Sequence, residues 1–431
     1  MLEKIMNKLA GPLTKVAAFL QTNRYTSAII NGITVSIPVT IVGALATLIT
    51  AAPNPDAVTK PGNIFYGLLS AWYNAAHGGL GTAATFINNV SLNMIAVYCL
   101  LAITYNLARG FKHNVVLDMI TSVMCFVCVA CTFDGGLSTG FLGGRGLFCA
   151  FLVACLSTSI TEFFFKSGFK IKLPDAVPPN VSAPFEALIP MFVNVCVFYG
   201  INAAFIALNG NNLATNILNL MKPLISTTDT LGAALIYGLL LNGLWIVGVH
   251  GGNVCNSVMS AFFLMNLTEN AEAAAAGLPL PHILCTNWNT FGLNVGGSGN
   301  GIALCLSMLI VAKSTHLKTM GRIGAPAVAF NITEPLVFGT PIVLNPYLVF
   351  PFVVTPLINT VISFLLMQAN LVGRIRINAP WVLPGPIFFF LSTLDFRNVI
   401  LWFVLVAIDT VIYLPFMKMY DNSLVAQEQE G

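Results

Sequence analysis

The chain has 431 residues, of which 56% are hydrophobic and only 8% are charged, and its mean hydropathy is +0.82. Soluble domains carry about 25% charged residues, so this composition predicts an integral membrane protein. The formal net charge of +3 is small and forms no basic face, which excludes nucleic acid as a partner.

The first 25 residues predict an amphipathic helix that lies flat on a membrane surface. Apolar residues recur at helical spacing between Leu2 and Leu20, while Lys4, Lys8 and Lys15 occupy the other face. A basic amphipathic helix of this kind binds an anionic bilayer through both faces. We therefore expect residues 1–25 to form an interfacial helix.

Long apolar segments predict an all-α fold beyond this helix. A span needs about 20 mostly apolar residues. The segments that meet this requirement are 26–50, 92–110, 115–133, 142–165, 184–208, 231–250, 342–368 and 399–417. With less regular stretches near 254–266, 291–312 and 381–393, we expect about ten transmembrane helices plus re-entrant hairpins.

Basic residues predict the orientation of these spans. Arg109 and Lys112 follow the second span, Lys166 follows the fourth, and Lys418 follows the last. By the positive-inside rule these positions are cytoplasmic, as are both termini. The loop at 51–90 is poor in basic residues and is expected outside.

The two halves of the chain differ in kind. Residues 26–225 contain long regular spans and are expected to be a scaffold. Residues 226–420 are repeatedly interrupted by Gly, Pro and Asn, which is typical of backbone that lines a binding site. Residues 421–431 are a polar tail. The ten cysteines lie mostly in apolar runs and are expected to pack as small hydrophobes, so no metal site is predicted.

The most informative motif is Asn331-Ile332-Thr333-Glu334-Pro335. An ionisable group within membrane-like sequence usually faces a partner, a cavity or a substrate. Proline disfavours α geometry at the residue before it, and irregular backbone at membrane depth is tolerated only where protein buries it or where it lines a cavity. We therefore expect Glu334 near the bend of a re-entrant hairpin, with Asn331 beside it.

A second polar break is Gly248-Val249-His250-Gly251-Gly252-Asn253, at the end of an apolar span. Glycine allows a ligand to approach the backbone closely, and histidine can bind a sugar hydroxyl or transfer its proton. His250 and Asn253 are therefore candidate site residues. An ordinary histidine at the membrane interface is the alternative.

Further candidates lie in a polar, glycine-rich stretch and beyond it. Asparagine amides bind sugar hydroxyls, and a tryptophan face stacks on a pyranose ring. The candidates in this group are Asn287, Trp288, Asn294, Ser298 and Trp381. His113, beside basic residues, is expected in a cytoplasmic loop and is a weaker candidate for the substrate path.

The segment from Trp245 through Pro335, with GVHGGN and NITEP in this order, resembles the membrane component (enzyme IIC) of bacterial sugar phosphotransferase systems. It is most similar to the lactose/cellobiose/N,N′-diacetylchitobiose family. The resemblance covers essentially the whole chain, and the two motifs together are specific.

This resemblance implies a homodimer of ten-helix protomers in the bacterial cytoplasmic membrane, dimerised through the N-terminal half, with an elevator-like movement of the C-terminal half. It also implies that His250 and Glu334 contact the sugar near its 6-hydroxyl. A soluble IIB protein would supply the phosphoryl group from a phosphocysteine, recharged from phosphoenolpyruvate through IIA. The chain would be the membrane part of this phosphotransferase complex and not an enzyme by itself.

The lactose systems of this family usually carry a fused IIB domain. Because this chain carries none, the expected substrate is a β-linked disaccharide of the diacetylchitobiose or cellobiose type. A proton-coupled secondary transporter, in which Glu334 and His250 relay protons and the sugar stays unmodified, is the alternative function.

Overall fold

The structure is a computed structural model that describes residues 22–50, 52, 54–58, 61, 64–132, 138–174, 177–246, 248, 250–340, 342 and 345–430. The predicted interfacial helix at residues 1–25 lies almost wholly outside these residues. Within them the chain forms helices and no strand, which confirms the all-α class.

The chain divides into two compact units at residue 226. The N-terminal unit holds the described residues up to Ser226 together with Ala274–Leu278, and the C-terminal unit holds Thr227–Ala273 and the residues from Pro279 onward. The roles of scaffold and substrate-carrying half, assigned above to residues 26–225 and 226–420, stay predictions.

The helices up to the division are α1 (Arg24–Val35), α2 (Ile37–Thr50), α3 (Pro55–Val58), α4 (Ile64–His77), α5 (Gly79–Val90), α6 (Ile95–Phe111), α7 (Val115–Ala130), α8 (Leu147–Ser167), α9 (Pro179–Asn209) and α10 (Leu213–Thr228). The helices that follow are α11 (Leu231–Ile246), α12 (Gly251–Ala275), α13 (Gly301–Val311), α14 (Thr315–Ala329), α15 (Glu334–Gly339), α16 (Val349–Gln368), α17 (Gly385–Thr393) and α18 (Phe396–Glu430). A π-helical turn, Asn289–Leu293, precedes α13.

Six helical segments of the described chain are long and apolar enough to cross a bilayer. They are Arg24–Gly43, Gly79–Phe111, Gly144–Ser167, Val181–Asn209, Val349–Gln368 and Phe396–Gln429. Helices α10 and α11, bent by 74°, form a seventh if they are counted as one span. The described chain is therefore multi-pass, and the total of about ten spans stays a prediction.

Two segments are more helical than the sequence indicated. The predicted loop at 51–90 contains α3, α4 and α5. Small and polar residues lower the hydropathy of α5, but its Gly81 and Ala84 are buried and the helix packs on α2, so packing rather than apolarity stabilises it.

Residues 421–430 of the predicted polar tail form the last part of α18. Asp421 is 1% exposed and accepts hydrogen bonds from the backbone N–H groups of Lys313 (2.8 Å) and Ser314 (2.9 Å). Glu428 accepts another from Thr315 at 3.0 Å. These carboxylates bind the N–H groups at the start of α14, which a helix leaves unpaired, so the tail is part of the C-terminal unit.

The C-terminal unit has one apolar core, built by α13 packed against α18 and α11 packed against α16. Two irregular segments pack against this core: the buried glycine-rich loop 294–300, and the break 330–333 between α14 and α15, in which Asn331 and Thr333 are buried while Phe330 is exposed. Their backbone polar groups need partners because little water reaches them. Those partners build the candidate site.

Candidate functional site

The centre of the site is a pair of ionisable side chains from the two motifs. His250 Nε2 lies 3.7 Å from Glu334 Oε1, and the two side chains are 42% and 46% exposed. This distance is longer than a typical hydrogen bond but too short for a hydroxyl to lie in line between the two atoms, so a hydroxyl that binds both groups must approach from the side. Half-exposed ionisable groups in a largely buried region are what a polar substrate requires.

His250 is held at the break between α11 and α12. Its ring lies 4.5 Å from the ring of Trp245, which is 2% exposed and forms the apolar floor of the site. Gly252 follows in the first turn of α12, where an added Cβ would lie 3.2 Å from His250 Cε1. A larger residue at Gly252 would therefore press on the imidazole.

Glu334 is placed by a break in the backbone after α14. Asn331 adopts the left-handed conformation (φ 62°), which asparagine tolerates better than most residues, and α15 then begins at Glu334. Pro335 fits the first turn of this helix, because the N–H that it lacks has no helical partner there. The segment is thus two helices joined by a short break, with Glu334 at the start of the second. The re-entrant hairpin expected here stays a prediction.

The glycine-rich loop packs directly on this break. Gly297 has φ +99°, and a Cβ there would lie 1.8 Å from Thr333 Oγ1 and 2.8 Å from the carbonyl oxygen of Asn331. Only glycine permits this contact. Thr333 Oγ1 also donates to the carbonyl of Gly296 at 3.4 Å. The glycine-rich loop and the NITEP motif therefore form one structure.

Two asparagines attach the segment around Trp381 to the same structure. Asn331 Nδ2 donates to the carbonyls of Trp381 (2.6 Å) and Leu383 (2.8 Å), and Asn287 Nδ2 donates to that of Ala379 (3.0 Å). The indole of Trp381 is 51% exposed. An exposed indole tied to the Glu334 segment can offer a face for a sugar ring.

The structure corrects the prediction for Trp288. This residue is 0% exposed and packs its ring on Gly292 and edge-on to Phe364, so it presents no face to a solute. The sequence pattern did not distinguish it from Trp381, because both tryptophans follow polar or proline-containing breaks. Its role is to support the π-helical turn.

The other loop candidates take different positions. Asn294 is 2% exposed. Its side-chain Nδ2 donates to Asn289 Oδ1 at 2.7 Å and its side-chain Oδ1 accepts from the N–H of Gly299 at 3.1 Å, so it shapes the loop. Ser298 is partly exposed. Asn253 lies in the first turn of α12, and its side chain is outside what the structure describes.

His113, the weaker candidate for the substrate path, is buried and bound to two carboxylates. This residue lies in the N-terminal unit, with its Nδ1 2.9 Å from Asp118 Oδ2 and its Nε2 2.7 Å from Glu162 Oε2. The imidazole is 4% exposed. Burial alone would lower the pKa of His113, but the hydrogen bonds to the two carboxylates outweigh it and raise the pKa. With both ring nitrogens engaged, His113 offers no group to a sugar.

A second histidine cluster lies in the C-terminal unit. His282 Nδ1 is 3.1 Å from Asp229 Oδ2, and its Nε2 is 2.7 Å from Glu269 Oε2. Burial lowers the pKa of His282, yet the hydrogen bonds to the two carboxylates raise it to about 9. Asp229 also accepts from the backbone N–H of Leu284 at 2.7 Å. This cluster connects the α10–α11 junction to the loop after α12, and no sequence pattern indicated the pairing.

Sequence reasoning also missed a buried carboxyl, Asp409 in α18, which is 0% exposed and accepts a hydrogen bond from Asn359 at 2.7 Å. A signal was present, since an Asp within an apolar span is rare and usually functional.

The helices and apolar spans together define a polytopic membrane protein, and its C-terminal unit carries the candidate polar site. Comparison with known proteins identifies its family. Residues 30–356 match the family model of "Phosphotransferase system, EIIC". The chain is similar to a solved crystal structure, that of the transporter ChbC, the IIC component from the N,N′-diacetylchitobiose-specific phosphotransferase system. The TM-score is 0.87 and the sequence identity is 30%, over 96% of this chain and 98% of that one.

Relatives in sequence agree. The lactose-specific EIICB component of the phosphotransferase system of Streptococcus mutans is 30% identical over 99% of this chain and 75% of its own length. The putative permease IIC component YwbA of Bacillus subtilis is 30% identical over 96% of this chain and 94% of its own. The chain therefore belongs to the EIIC family of the phosphotransferase system and is a sugar permease of the lactose/chitobiose type.

Proposed function

We propose that this permease carries a β-linked disaccharide of the diacetylchitobiose or cellobiose type across the bacterial cytoplasmic membrane and presents it for phosphorylation at its 6-hydroxyl. The observation that carries this proposal is the His250–Glu334 pair, half-exposed at 3.7 Å. The similar ChbC transporter belongs to a diacetylchitobiose-specific system, and other relatives are lactose-specific. Both sugars are β-linked disaccharides, so we propose this class of substrate.

The chemistry assigned to the pair is positioning and proton transfer. Phosphoryl transfer needs an aligned hydroxyl and compensated charge more than covalent help from the protein. Glu334 accepts the proton of the 6-hydroxyl, whose oxygen forms a bond to phosphorus as the bond from phosphorus to the IIB cysteine sulfur breaks. The cysteine leaves as a thiolate, and His250 orients the hydroxyl.

The remaining polar groups have binding roles in this proposal. Trp381 stacks its exposed indole on a sugar ring, and Ser298 and Asn253 offer hydrogen-bonding groups to hydroxyls. Asn331, Asn287 and Asn294 hold the backbone to which these groups belong. They therefore act on the sugar through the shape of the site.

The proposal extends to assembly and movement. The chain acts as a homodimer formed through the N-terminal unit, with both termini in the cytoplasm, and the C-terminal unit carries the sugar in an elevator-like movement. IIA and IIB supply the phosphoryl group from phosphoenolpyruvate, and no bound cofactor is needed. The family match and the EIICB composition of relatives support a IIB partner.

The test uses membranes that contain this protein, radiolabelled diacetylchitobiose, cellobiose and lactose, and soluble extract that supplies IIA, IIB and the general phosphotransferase proteins. We expect a sugar 6-phosphate that forms only with both phosphoenolpyruvate and this chain. The order of rates among the sugars assigns the substrate. Uptake of unmodified sugar driven by a proton gradient would instead support the proton-coupled transporter.

Two variants test the roles of the central pair. Glu334→Gln keeps the shape but cannot accept the proton, so phosphorylation should fall by at least about 100-fold, the usual contribution of a general base. Glu186→Gln, which alters a carboxylate paired with Lys170 in the other unit, is the matched control. Full activity of Glu334→Gln in folded protein would remove Glu334 from this role, and unchanged kinetics of His250→Ala would do the same for His250.

A further inference from the structure

Asp409 is a carboxyl that the proposed mechanism does not use. It lies within the apolar segment Phe396–Gln429 and is 0% exposed. Its Oδ2 accepts a hydrogen bond from Asn359 Nδ2 at 2.7 Å, whereas its Oδ1 has no hydrogen-bond donor among the described residues. Among those residues no Lys, Arg or His forms an ion pair with it, and the titratable group beside it is Tyr413, one turn along α18.

These surroundings suit a neutral acid. A carboxylate at this depth without a cation would bear a large desolvation penalty, and one of its oxygens would be left without a donor. In the protonated form the same oxygen carries the O–H and becomes a donor that needs an acceptor. Asn359 Oδ1, which has no hydrogen-bond partner among the described residues, is an acceptor on the same amide that already donates to Asp409. The contacts around Asp409 therefore match a carboxylic acid.

Asp409 and Tyr413 of α18 lie next to the glycine-rich loop. The Tyr413 hydroxyl, also fully buried, donates to the carbonyl of Gly299 at 2.5 Å. Asn300 lies next to the Asp409 carboxyl without meeting the geometry of a hydrogen bond, and its own Oδ1 accepts from the N–H of Val295 at 2.8 Å. Helix α18 thus lies against two consecutive loop residues, Gly299 and Asn300. Gly297 of the same loop packs on Thr333 of the NITEP motif.

We propose that Asp409 and Tyr413 are positioning residues for the sugar site, holding the glycine-rich loop against the NITEP motif from behind, with Asp409 acting as a neutral acid. The four residues Asn300, Asn359, Asp409 and Tyr413 form this support, which we call the buried brace. The inference rests on the proposed function, because it takes the region of Glu334 and His250 as the sugar site.

Substitutions at Tyr413 and Asp409 should change sugar binding to different extents. Tyr413→Phe removes one hydrogen bond to a buried carbonyl, which should weaken sugar binding roughly five- to tenfold and raise KM by the same factor, with kcat little changed. Asp409→Asn keeps the neutral charge, the shape and a donor, so sugar affinity should stay within about threefold of the original. Asp409→Leu removes every polar contact and should lose binding.

The experiment measures the Kd of diacetylchitobiose and cellobiose by calorimetry on the purified full chain, and then KM and kcat for phosphorylation. Tyr199→Phe, at a 63% exposed tyrosine, and Thr410→Val, whose hydroxyl bonds only within α18, are the controls. Infrared difference spectra between the original protein and Asp409→Asn should contain the carbonyl band of a protonated carboxylic acid.

The decision rests on the two conservative variants, since Asp409→Leu can fail to fold. Folded Asp409→Asn without sugar binding, or an infrared difference that shows only carboxylate bands, would overturn the neutral acid. Tyr413→Phe with the original Kd and KM would overturn the brace. The Kd is independent of phosphoryl transfer, so a chain that binds the sugar without phosphorylating it would refute the proposed function alone.

Discussion

Asn331 offers the sharpest test of how the candidate site is built. Its side chain is 7% exposed, its φ is 62°, and its amide donates to the carbonyls of Trp381 and Leu383 at 2.6 and 2.8 Å. Two separate physical effects therefore act at one position. The first is the pair of hydrogen bonds that attaches the Trp381 segment, and the second is the tolerance of asparagine for a left-handed backbone.

The variants Asn331→Gly and Asn331→Ala separate these effects. Each hydrogen bond contributes about 1 kcal/mol net, so losing both should lower the free energy of unfolding by about 2 kcal/mol in Asn331→Gly. Alanine loses the same bonds and also strains at positive φ, which adds about 1 kcal/mol. We expect the order of stability to be the original protein, then the glycine variant, then the alanine variant.

The assay is unfolding of the purified protein in mixed detergent, together with calorimetric titration of the disaccharide. Because Trp381 is attached through Asn331, sugar affinity should fall in both variants by a similar factor, while stability should separate them. A glycine variant with the original stability and affinity would refute the structural role of the amide. An alanine variant at least as stable as the glycine variant would refute the argument from backbone strain.

Three other predictions concern charge, close contact and stacking. The raised pKa of His282, about 9 against 6.5, predicts that the contribution of this histidine to the free energy of unfolding is fully present below pH 6.5. This contribution, of up to about 3 kcal/mol, is lost as pH rises through 9. His282→Gln should flatten this dependence, and an unchanged pH profile of unfolding would contradict it. Gly297→Ala places a Cβ 1.8 Å from Thr333 Oγ1 and should abolish sugar binding, whereas Gly200→Ala, with nothing within 4 Å of its Cβ, should be silent in the same titration. Trp381→Ala should weaken sugar binding roughly tenfold and Trp381→Phe much less; equal affinity in all three proteins would show that the indole does not stack.

Much of the site was predictable because rare residues in an apolar chain are conspicuous. Glu334 and His250 stand out as polar residues at breaks in long hydrophobic segments, and the structure brings them within 3.7 Å. Helix breaks by proline and glycine are local properties, so the hairpin around Glu334 follows from the chain itself. Asp409 was predictable by the same reasoning.

The choice between Trp288 and Trp381 was not predictable in this way. Both follow breaks in the chain, but one is 0% and the other 51% exposed, and only the packing of Gly292 and Phe364 around Trp288 decides which indole faces outward. His113 is similar, since its carboxylate partner Glu162 lies 49 residues away in sequence. Pairing over such distances depends on how helices pack, which hydropathy does not encode.

The amino-acid sequence by itself determined that this is an all-α membrane protein with a polar site in its C-terminal half, because desolvating polar groups in a bilayer carries a large energetic penalty and restricts where they can occur. Tertiary structure decided which polar residues of the candidate site are exposed and which are buried and hold the backbone. The physical reason is that each buried amide or hydroxyl must find a partner, and those partners, such as the Trp381 carbonyl for Asn331 and the Gly299 carbonyl for Tyr413, come from segments far apart in the chain.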